Sequence, residues 1–151
     1  MQSILDGFDT SFLHGVHYND GELHIIVAEG FRSPQSEDLL IAGHVFNGLH
    51  SLDTSERSRL VEVGFSRPIA WQLVDESFSA FDEYELRDDT AALQILTRSR
   101  YLDFIHAHHG WFDVTRGPAK HYRIWTENEV LDVVACAPPE IKKVDRTSQP
   151  L

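Results

Sequence analysis

Short alternating segments joined by tight turn signals constrain the fold of this chain more than any other feature. The pair Asp20-Gly21 separates SFLHGVHY from ELHIIVA, and Asn128-Glu129 separates KHYRIWTE from VLDVVAC. A glycine that follows Asp supplies the positive φ that a two-residue hairpin turn requires. Strands joined by so few residues run antiparallel, because a parallel pair needs a long crossover. The sequence therefore predicts two antiparallel β-hairpins.

Three further segments predict extended structure in the middle of the chain. RLVEVGF (59–65) and IAWQLVDE flank a short turn and predict a third hairpin. LLIAGHVF (39–46) predicts a single strand with a bulge at Gly43. The preceding GFRSPQSED is typical of a loop, since Gly, Pro and Ser interrupt regular structure. AALQILT (91–97) fits either a strand or a helix, and the sequence leaves that choice open.

One helix is predicted in the second half of the chain. Ser99 is typical of a helix N-cap, and Leu102 and Ile105 follow at helical spacing. These residues predict a short helix near 99–108 that ends before Gly110.

The predicted fold class is α+β, mostly antiparallel β-sheet, with about seven strands in hairpins and one short helix near 99–108. Residues 1–151 are expected to form a single domain, because no change of composition marks a boundary. Ala137-Pro138-Pro139 ends the last predicted strand, since proline cannot donate to a ladder. A polar C-terminal tail is predicted from about residue 140.

Length and cysteine content indicate the kind of compartment. The chain has 151 residues, 42% of them hydrophobic, which is enough to bury a core without cross-links. Cys136 is the only cysteine, so no disulfide can form within the chain, and this fits a reducing compartment. The start MQSILDGFDTSF lacks the basic and apolar regions of a secretion signal. The sequence predicts a cytoplasmic protein with no membrane contact.

An excess of acidic residues determines which partners the chain can attract. The net charge is −11, from 24 acidic and 13 basic residues. Such a surface repels nucleic acid and anionic membranes and attracts basic proteins. Residues 75–89 hold seven acidic residues and one basic residue, whereas residues 98–123 hold five basic residues and two acidic ones. Solubility alone does not require this segregation.

The stretch DESFSAFDEYELRDD (75–89), called the acidic segment below, is the candidate partner-binding site. In one interpretation it is a solvated loop whose Phe78, Phe81 and Tyr84 turn back onto the core. In the other, its carboxylates meet a basic partner and its rings anchor that partner, since charge sets specificity and desolvated aromatic groups supply affinity. The predicted partner-binding residues are Asp75, Glu76, Asp82, Glu83, Tyr84, Glu85, Asp88 and Asp89.

No nucleophile elbow, dinucleotide fingerprint or phosphate-binding loop occurs in the sequence. We therefore expect a protein that is not an enzyme and takes no cofactor. The alternative is a metal-binding protein or metal-dependent enzyme that uses Asp103, His106 and His109, which share one helix face at spacings of three. Histidines at a helix end are also typical of a favourable interaction with the helix dipole. A third interpretation is a homo-oligomer in which the acidic segment of one copy meets the basic residues of 98–123 in another.

The C-terminal third of the chain resembles the ending of small uncharacterised bacterial proteins. The likeness lies in LTRSRYLDFI and HYRIWTENEVLDVVACAPPEI. In size and acidity the chain is similar to the immunity proteins that neutralise bacterial polymorphic toxins. This resemblance implies a non-catalytic protein that binds a basic toxin domain, such as a nuclease, and it assigns no functional residue.

Overall fold

The computed structural model describes residues 1–88 and 91–145, which form eleven β-strands, two short α-helices and two 3-10 turns. The strands are β1 (Ser11–Asn19), β2 (Glu22–Glu29), β3 (Phe31–Ile41), β4 (His44–Asp53), β5 (Leu60–Ser66), β6 (Ala70–Asp75), β7 (Leu86–Arg87), β8 (Leu93–Arg98), β9 (Lys120–Trp125), β10 (Glu129–Ala135) and β11 (Glu140–Val144). The helices are α1 (Arg100–His109) and α2 (Phe112–Thr115), and the 3-10 turns span Ile4–Gly7 and Glu76–Phe78.

Two antiparallel sheets pack against each other, and a two-stranded arm extends from them. The first sheet has the strand order β1-β2-β5-β11, and the second has the order β6-β10-β9-β8-β7. The arm consists of β3 and β4, which pair only with each other. The expected β-rich, mostly antiparallel class is confirmed, but there are more strands than the seven predicted.

The main core lies between the two sheets and follows from alternation along the strands. Every second side chain of a strand points to the same face, so each sheet presents one apolar face to the other. Phe65 and Tyr122 meet across this interface with ring centroids 5.3 Å apart. The strand residues of this core are Leu23, Ile25 and Val27 of β2, Val61, Val63 and Phe65 of β5, Leu93 of β8, Tyr122 and Ile124 of β9, and Leu131, Val133 and Ala135 of β10.

Two of the three predicted hairpins are confirmed. β1 pairs with β2, and Asp20 (φ 51°) and Gly21 (φ 82°) form the turn between them; β9 pairs with β10. The hairpin predicted from β5 and β6 is wrong, because β5 pairs with β2 and β11 whereas β6 pairs with β10. The chain passes from one sheet to the other at Arg67 (φ 49°) and Pro68. Alternation shows that both segments are strands but does not specify which strands they pair with.

The arm replaces a predicted loop and a predicted single strand. Residues 30–38 were expected to be a loop, yet most of them belong to β3, and the run 39–46 is divided between β3 and β4. Ala42 (φ 50°) and Gly43 (φ 83°) form a tight turn, so this glycine ends a strand and is not a bulge. The large apolar side chains exposed on the arm are Phe31, Leu39, Leu40, Ile41, Val45, Phe46, Leu49 and Leu52.

The first helix has the predicted N-cap. The Ser99 side chain accepts a hydrogen bond from the backbone N–H of Leu102, and Gly110 follows the last helical residue. Leu102 and Ile105 pack against Phe112 and Val134 in a second, smaller core. The open choice at residues 91–97 is resolved as strand β8. No helix in the described part of the chain is long and apolar enough to cross a membrane.

The polar segment expected as a tail instead contributes a strand. Glu140–Val144 forms β11, which pairs with the edge of the first sheet at β5. Ile141 packs against the main core, and the Lys142 ammonium lies 3.0 Å from the Glu62 carboxylate. The polar composition of β11 fits an edge strand whose outer side faces water.

We expect Ile141→Ala to destabilise the protein by about 1–3 kcal/mol, since it removes apolar contacts with the core. Urea unfolding followed by circular dichroism measures the change. Lys143→Ala is the matched control, because Lys143 is exposed on the same strand and its loss should leave the midpoint almost unchanged. Equal midpoints for the two variants would show that β11 does not contribute to the core.

Candidate partner-binding surface

The acidic segment crosses the second sheet from one edge to the other. It leaves β6 at Asp75, makes a 3-10 turn at Glu76–Phe78 and returns to the sheet as β7. Because β6 and β7 are opposite edge strands of that sheet, the chain between them must traverse β10, β9 and β8. The Asp75 carboxylate starts this path as the N-cap of the turn, where it accepts a hydrogen bond of 2.9 Å from the Ser77 N–H.

The face of the sheet beneath the segment carries buried polar and charged side chains. Tyr122 and Ile124 of β9 point into the main core, so His121 and Arg123 point to the opposite face. Asp132 of β10 is directly opposite Arg123 in the hairpin register and lies on the same face. This outer face is buried, because the acidic segment and α1 cover it.

A buried arginine joins the sheet to the acidic segment. Arg123 donates from Nε to Asp132 Oδ1 at 2.7 Å and from Nη1 to Glu85 Oε2 at 2.8 Å. Arg87 also donates to Glu85 at 2.7 Å. Burial lowers the pKa of Arg123, but the hydrogen bonds and charges of Asp132 and Glu85 outweigh it, so the pKa stays above its usual value. The guanidinium therefore remains charged and holds both carboxylates.

A second set of contacts fixes the segment at its outer border. Arg100 donates to Asp82 at 2.7 Å, and Arg98 donates to the Tyr84 carbonyl at 2.7 Å. The guanidinium groups of Arg98 and Arg100 lie 4.8 and 5.0 Å from the centre of the Tyr84 ring. The Tyr84 hydroxyl donates to Asp103 at 2.6 Å. The hydrogen bond from the Tyr84 N–H and the contact with Arg100 both lower the pKa of Asp82.

The basic residues of 98–123 thus contact the acidic segment within one chain. Arg98, Arg100 and Arg123 all bind it, and Arg116 donates to the Arg67 carbonyl at 2.8 Å. The two oppositely charged regions that the sequence separates by position are adjacent in the fold.

The structure describes seven of the eight predicted partner-binding residues and divides them into a group held by internal contacts and a group without an ion pair among the described residues. Asp82, Tyr84 and Glu85 are held by the contacts above. Asp88 accepts from the Ile95 N–H at 2.9 Å and lies 3.5 Å from the N-terminal amine. Asp75, Glu76 and Glu83 form no ion pair with another described residue. Asp89 lies outside the described residues.

The aromatic residues of the segment do not all turn to the core. Phe78 is 86% exposed and Phe81 is 71% exposed, whereas Tyr84 is half-buried. Phe81 stacks on Trp125 with ring centroids 5.2 Å apart and an angle of 14° between the planes. The Arg87 guanidinium lies 4.7 Å from the Phe81 ring centre. The outward surface of the segment therefore combines unpaired carboxylates with two exposed rings.

A buried chain of three side chains has the residue types of a hydrolytic triad. Ser99 Oγ and His121 Nδ1 lie 2.7 Å apart, and His121 Nε2 and Asp132 Oδ1 also lie 2.7 Å apart. Their exposed fractions are 1%, 0% and 3%, so a substrate cannot reach the hydroxyl. That hydroxyl also accepts the N-cap hydrogen bond from Leu102. These three hydrogen-bonded side chains fix the start of α1 to the sheet, and their burial keeps a substrate from reaching them.

Sequence reasoning did not identify this network, although one signal for it was available. The β9–β10 hairpin was predicted, and its register places Arg123 opposite Asp132 and His121 opposite Val134. Opposite charges on directly paired residues of a hairpin predict a cross-strand ion pair. Burial of that pair depends on the covering segment, which no local pattern reveals.

The alternative metal site is not assembled in the structure. Asp103 contacts Tyr84, and His106 Nδ1 lies 3.1 Å from Asp113 Oδ2. His109 faces the Phe104 ring instead. Within residues 1–88 and 91–145, no three His, Cys, Asp or Glu side chains are arranged to hold a metal ion.

Comparisons with known proteins give this surface no counterpart. No family model matches the sequence, and no curated protein or solved structure matches the chain significantly. The site must therefore be interpreted from its own geometry.

We expect Arg123→Ala to destabilise the protein by about 3–5 kcal/mol, because it leaves two carboxylates facing a buried space without their partner. Urea unfolding measures the change. Arg100→Ala is the matched control: it removes an ion pair in which Arg100 is largely exposed, and it should cost about 1 kcal/mol or less. Similar losses in both variants would argue against Arg123 as the anchor of the segment.

The lowered pKa of Asp132 predicts that the folded protein loses stability at low pH. Burial raises the pKa of Asp132, but hydrogen bonds from His121 and Arg123 outweigh burial and lower the pKa from 3.8 to about 2. Because this pKa is lower in the folded chain, the unfolded chain takes up the proton first as the pH falls. The contribution of Asp132 to stability is therefore complete above about pH 4 and is lost towards about pH 2.

The free energy of unfolding of the wild type should fall more steeply across this pH window than that of Asp132→Asn. Urea titrations at a series of pH values measure both slopes. Glu83→Gln, which removes an exposed carboxylate that pairs with no basic group in the described part of the chain, should keep the wild-type slope. If the free energy of unfolding of Asp132→Asn fell with pH as steeply as that of the wild type, the attribution of this acid sensitivity to Asp132 would be wrong.

Proposed function

We propose that this protein is a non-catalytic binding protein that covers a basic surface of another protein with its acidic segment. The observation that carries the proposal is the attachment of the segment across the sheet by Arg123, with Glu83, Phe78 and Phe81 exposed and Glu76 half-buried. A segment that is already ordered loses less conformational entropy on binding than a flexible one.

The division of charges within the segment suits such a role. Asp82 and Glu85 are neutralised internally and maintain the shape, while Glu76 and Glu83 form no ion pair within residues 1–88 and 91–145. Outward charge speeds encounter with a basic partner and penalises acidic ones. Exposed aromatic rings next to that charge can supply affinity once they are desolvated.

In its specific form, the proposal is an immunity protein that neutralises a basic bacterial toxin domain in the cytoplasm. The net charge of −11 and the lone cysteine support this form. For a nuclease toxin, the carboxylates of the segment would occupy the surface that otherwise receives phosphate groups. Basic side chains that bind phosphate also bind carboxylate, since both anions present oxygen acceptors.

The double variant Glu76→Lys/Glu83→Lys should lose its partner, because like charges would then meet at the interface. The measurement is a pull-down from the lysate of the native host at low and high salt, followed by mass spectrometry. Glu56→Lys/Glu140→Lys is the matched control, since it changes the net charge equally at two exposed sites outside the segment. One basic protein retained by the wild type and the control, but not by Glu76→Lys/Glu83→Lys, is the expected result.

A growth assay tests the immunity form of the proposal. Expression of the captured protein alone should stop growth, co-expression with the wild type should restore it, and co-expression with Glu76→Lys/Glu83→Lys should not. Equal capture by all three bait proteins would refute the acidic interface. A captured protein that is harmless when expressed alone would refute the immunity role.

A further inference from the structure

Three adjoining cavities form one groove beside the base of the arm. The first, of about 310 Å³, lies against Phe8 and Trp125 and shares Asp9, Thr10 and Glu127 with the second, of about 430 Å³. The second continues along Phe31 and Arg32 into the third, of about 400 Å³. These shared lining residues connect the three cavities into one path. We call it the acidic groove after the acidic residues of its first two cavities, whereas the third is lined by Arg32 and Arg57 beside Asp53.

The first cavity of the acidic groove has the chemistry of a cation site. Asp9, Glu76 and Glu127 line it, and none of the described residues in its lining is basic. Trp125 forms an aromatic wall of this cavity. An indole ring is the best aromatic partner for an ammonium or guanidinium group, and removal from water strengthens the contact. The volume suits one long basic side chain.

Neighbouring contacts differ between the two aromatic rings of this cavity: a guanidinium of the chain lies over Phe8, whereas another ring covers one face of Trp125, so a cation can meet only the other face of the indole. Phe8 lines the same cavity, but the Arg59 guanidinium already lies 5.0 Å from its ring centre and is paired with Glu29 at 2.6 Å. Phe81 of the acidic segment stacks on Trp125 and thereby fixes its orientation. The groove and the acidic segment therefore share a wall.

The acidic charge at this end of the sandwich is incompletely balanced. Burial and the nearby charge of Asp75 both raise the pKa of Glu129. The Glu129 Oε2 atom is buried without a hydrogen-bond partner among the described residues. Thr10 donates to Glu127, which orients that carboxylate but does not neutralise it.

We propose that the acidic groove binds an extended basic segment of the partner protein, with one arginine or lysine side chain in the first cavity. The side chain would lie beside Trp125 between the carboxylates of Glu76 and Glu127. The flanking residues of the bound segment would follow the groove to the apolar base of the arm at Phe31 and Leu52. Charge complementarity selects a basic side chain for the first cavity, and the succession of three adjoining cavities selects an extended segment.

This inference rests on the proposed function and adds that the partner binds through an extended basic segment. Glu76 belongs to both the acidic segment and the groove, and Trp125 packs on Phe81 of that segment. Asp9 and Glu127 belong to the groove alone. Variants of these two residues therefore separate the two ideas.

The first test uses a fluorescein-labelled hexa-arginine peptide and measures its anisotropy with the folded protein. Asp9→Asn/Glu127→Gln and Trp125→Leu should each weaken binding about tenfold. Glu22→Gln/Glu140→Gln removes the same charge at two exposed positions that line none of the three cavities, and it should change binding less than about twofold. Equal weakening by the groove and control pairs would mean general attraction to the acidic surface and would overturn the proposal. Binding of free arginine as tight as that of the peptide would overturn an extended occupant.

The second test places the groove variants in the pull-down. Loss of the captured partner with Asp9→Asn/Glu127→Gln, at unchanged urea midpoint, is the expected result. Retention by the groove variants, with loss in Glu76→Lys/Glu83→Lys, would overturn the groove and leave the proposed function standing. Retention by every variant would refute both. Trp125→Phe, which keeps a smaller ring, replaces Trp125→Leu if the latter does not fold.

Discussion

The burial of Arg123 is the interaction on which the rest of the surface depends. A guanidinium group does not lose its proton in a protein, so a buried arginine requires carboxylate partners. One partner, Asp132, is the directly paired residue of the hairpin, and the other, Glu85, comes from the acidic segment. The requirement for the second partner holds the segment on the sheet.

This constraint changes the meaning of the acidic composition. A count of seven carboxylates in residues 75–89 overstates the charge offered to a partner, because Asp82 and Glu85 are satisfied by Arg100 and Arg123. His121 belongs to the same network and contacts both Ser99 and Asp132, so the three side chains resemble a catalytic triad. All three are buried, and solvent does not reach them. Internal pairing therefore defines the shape of the surface, and the remaining acids define its charge.

Sequence patterns located most strands but not their partners. Asp20-Gly21 specified a hairpin correctly, whereas Gly43 of the equivalent Ala42-Gly43 turn was predicted as a bulge because it interrupts an apolar run. The segments of β5 and β6 alternate like two strands of a hairpin, yet β5 pairs with strands of the first sheet and β6 pairs with a strand of the second. Pairing between sheets depends on which apolar faces meet, and a short window of sequence does not contain that information.

The sequence by itself determined the turn at Gly21, the cap at Ser99 and the separation of charge along the chain, because these depend on residues a few positions apart. Only the tertiary structure decided which carboxylates are available. Glu85 and Arg123 are 38 positions apart and meet because the segment must cross β9 to reach the far edge of its sheet. Asp9, Glu76 and Glu127 line one cavity for a similar reason, since distant parts of the chain meet at one end of the sandwich.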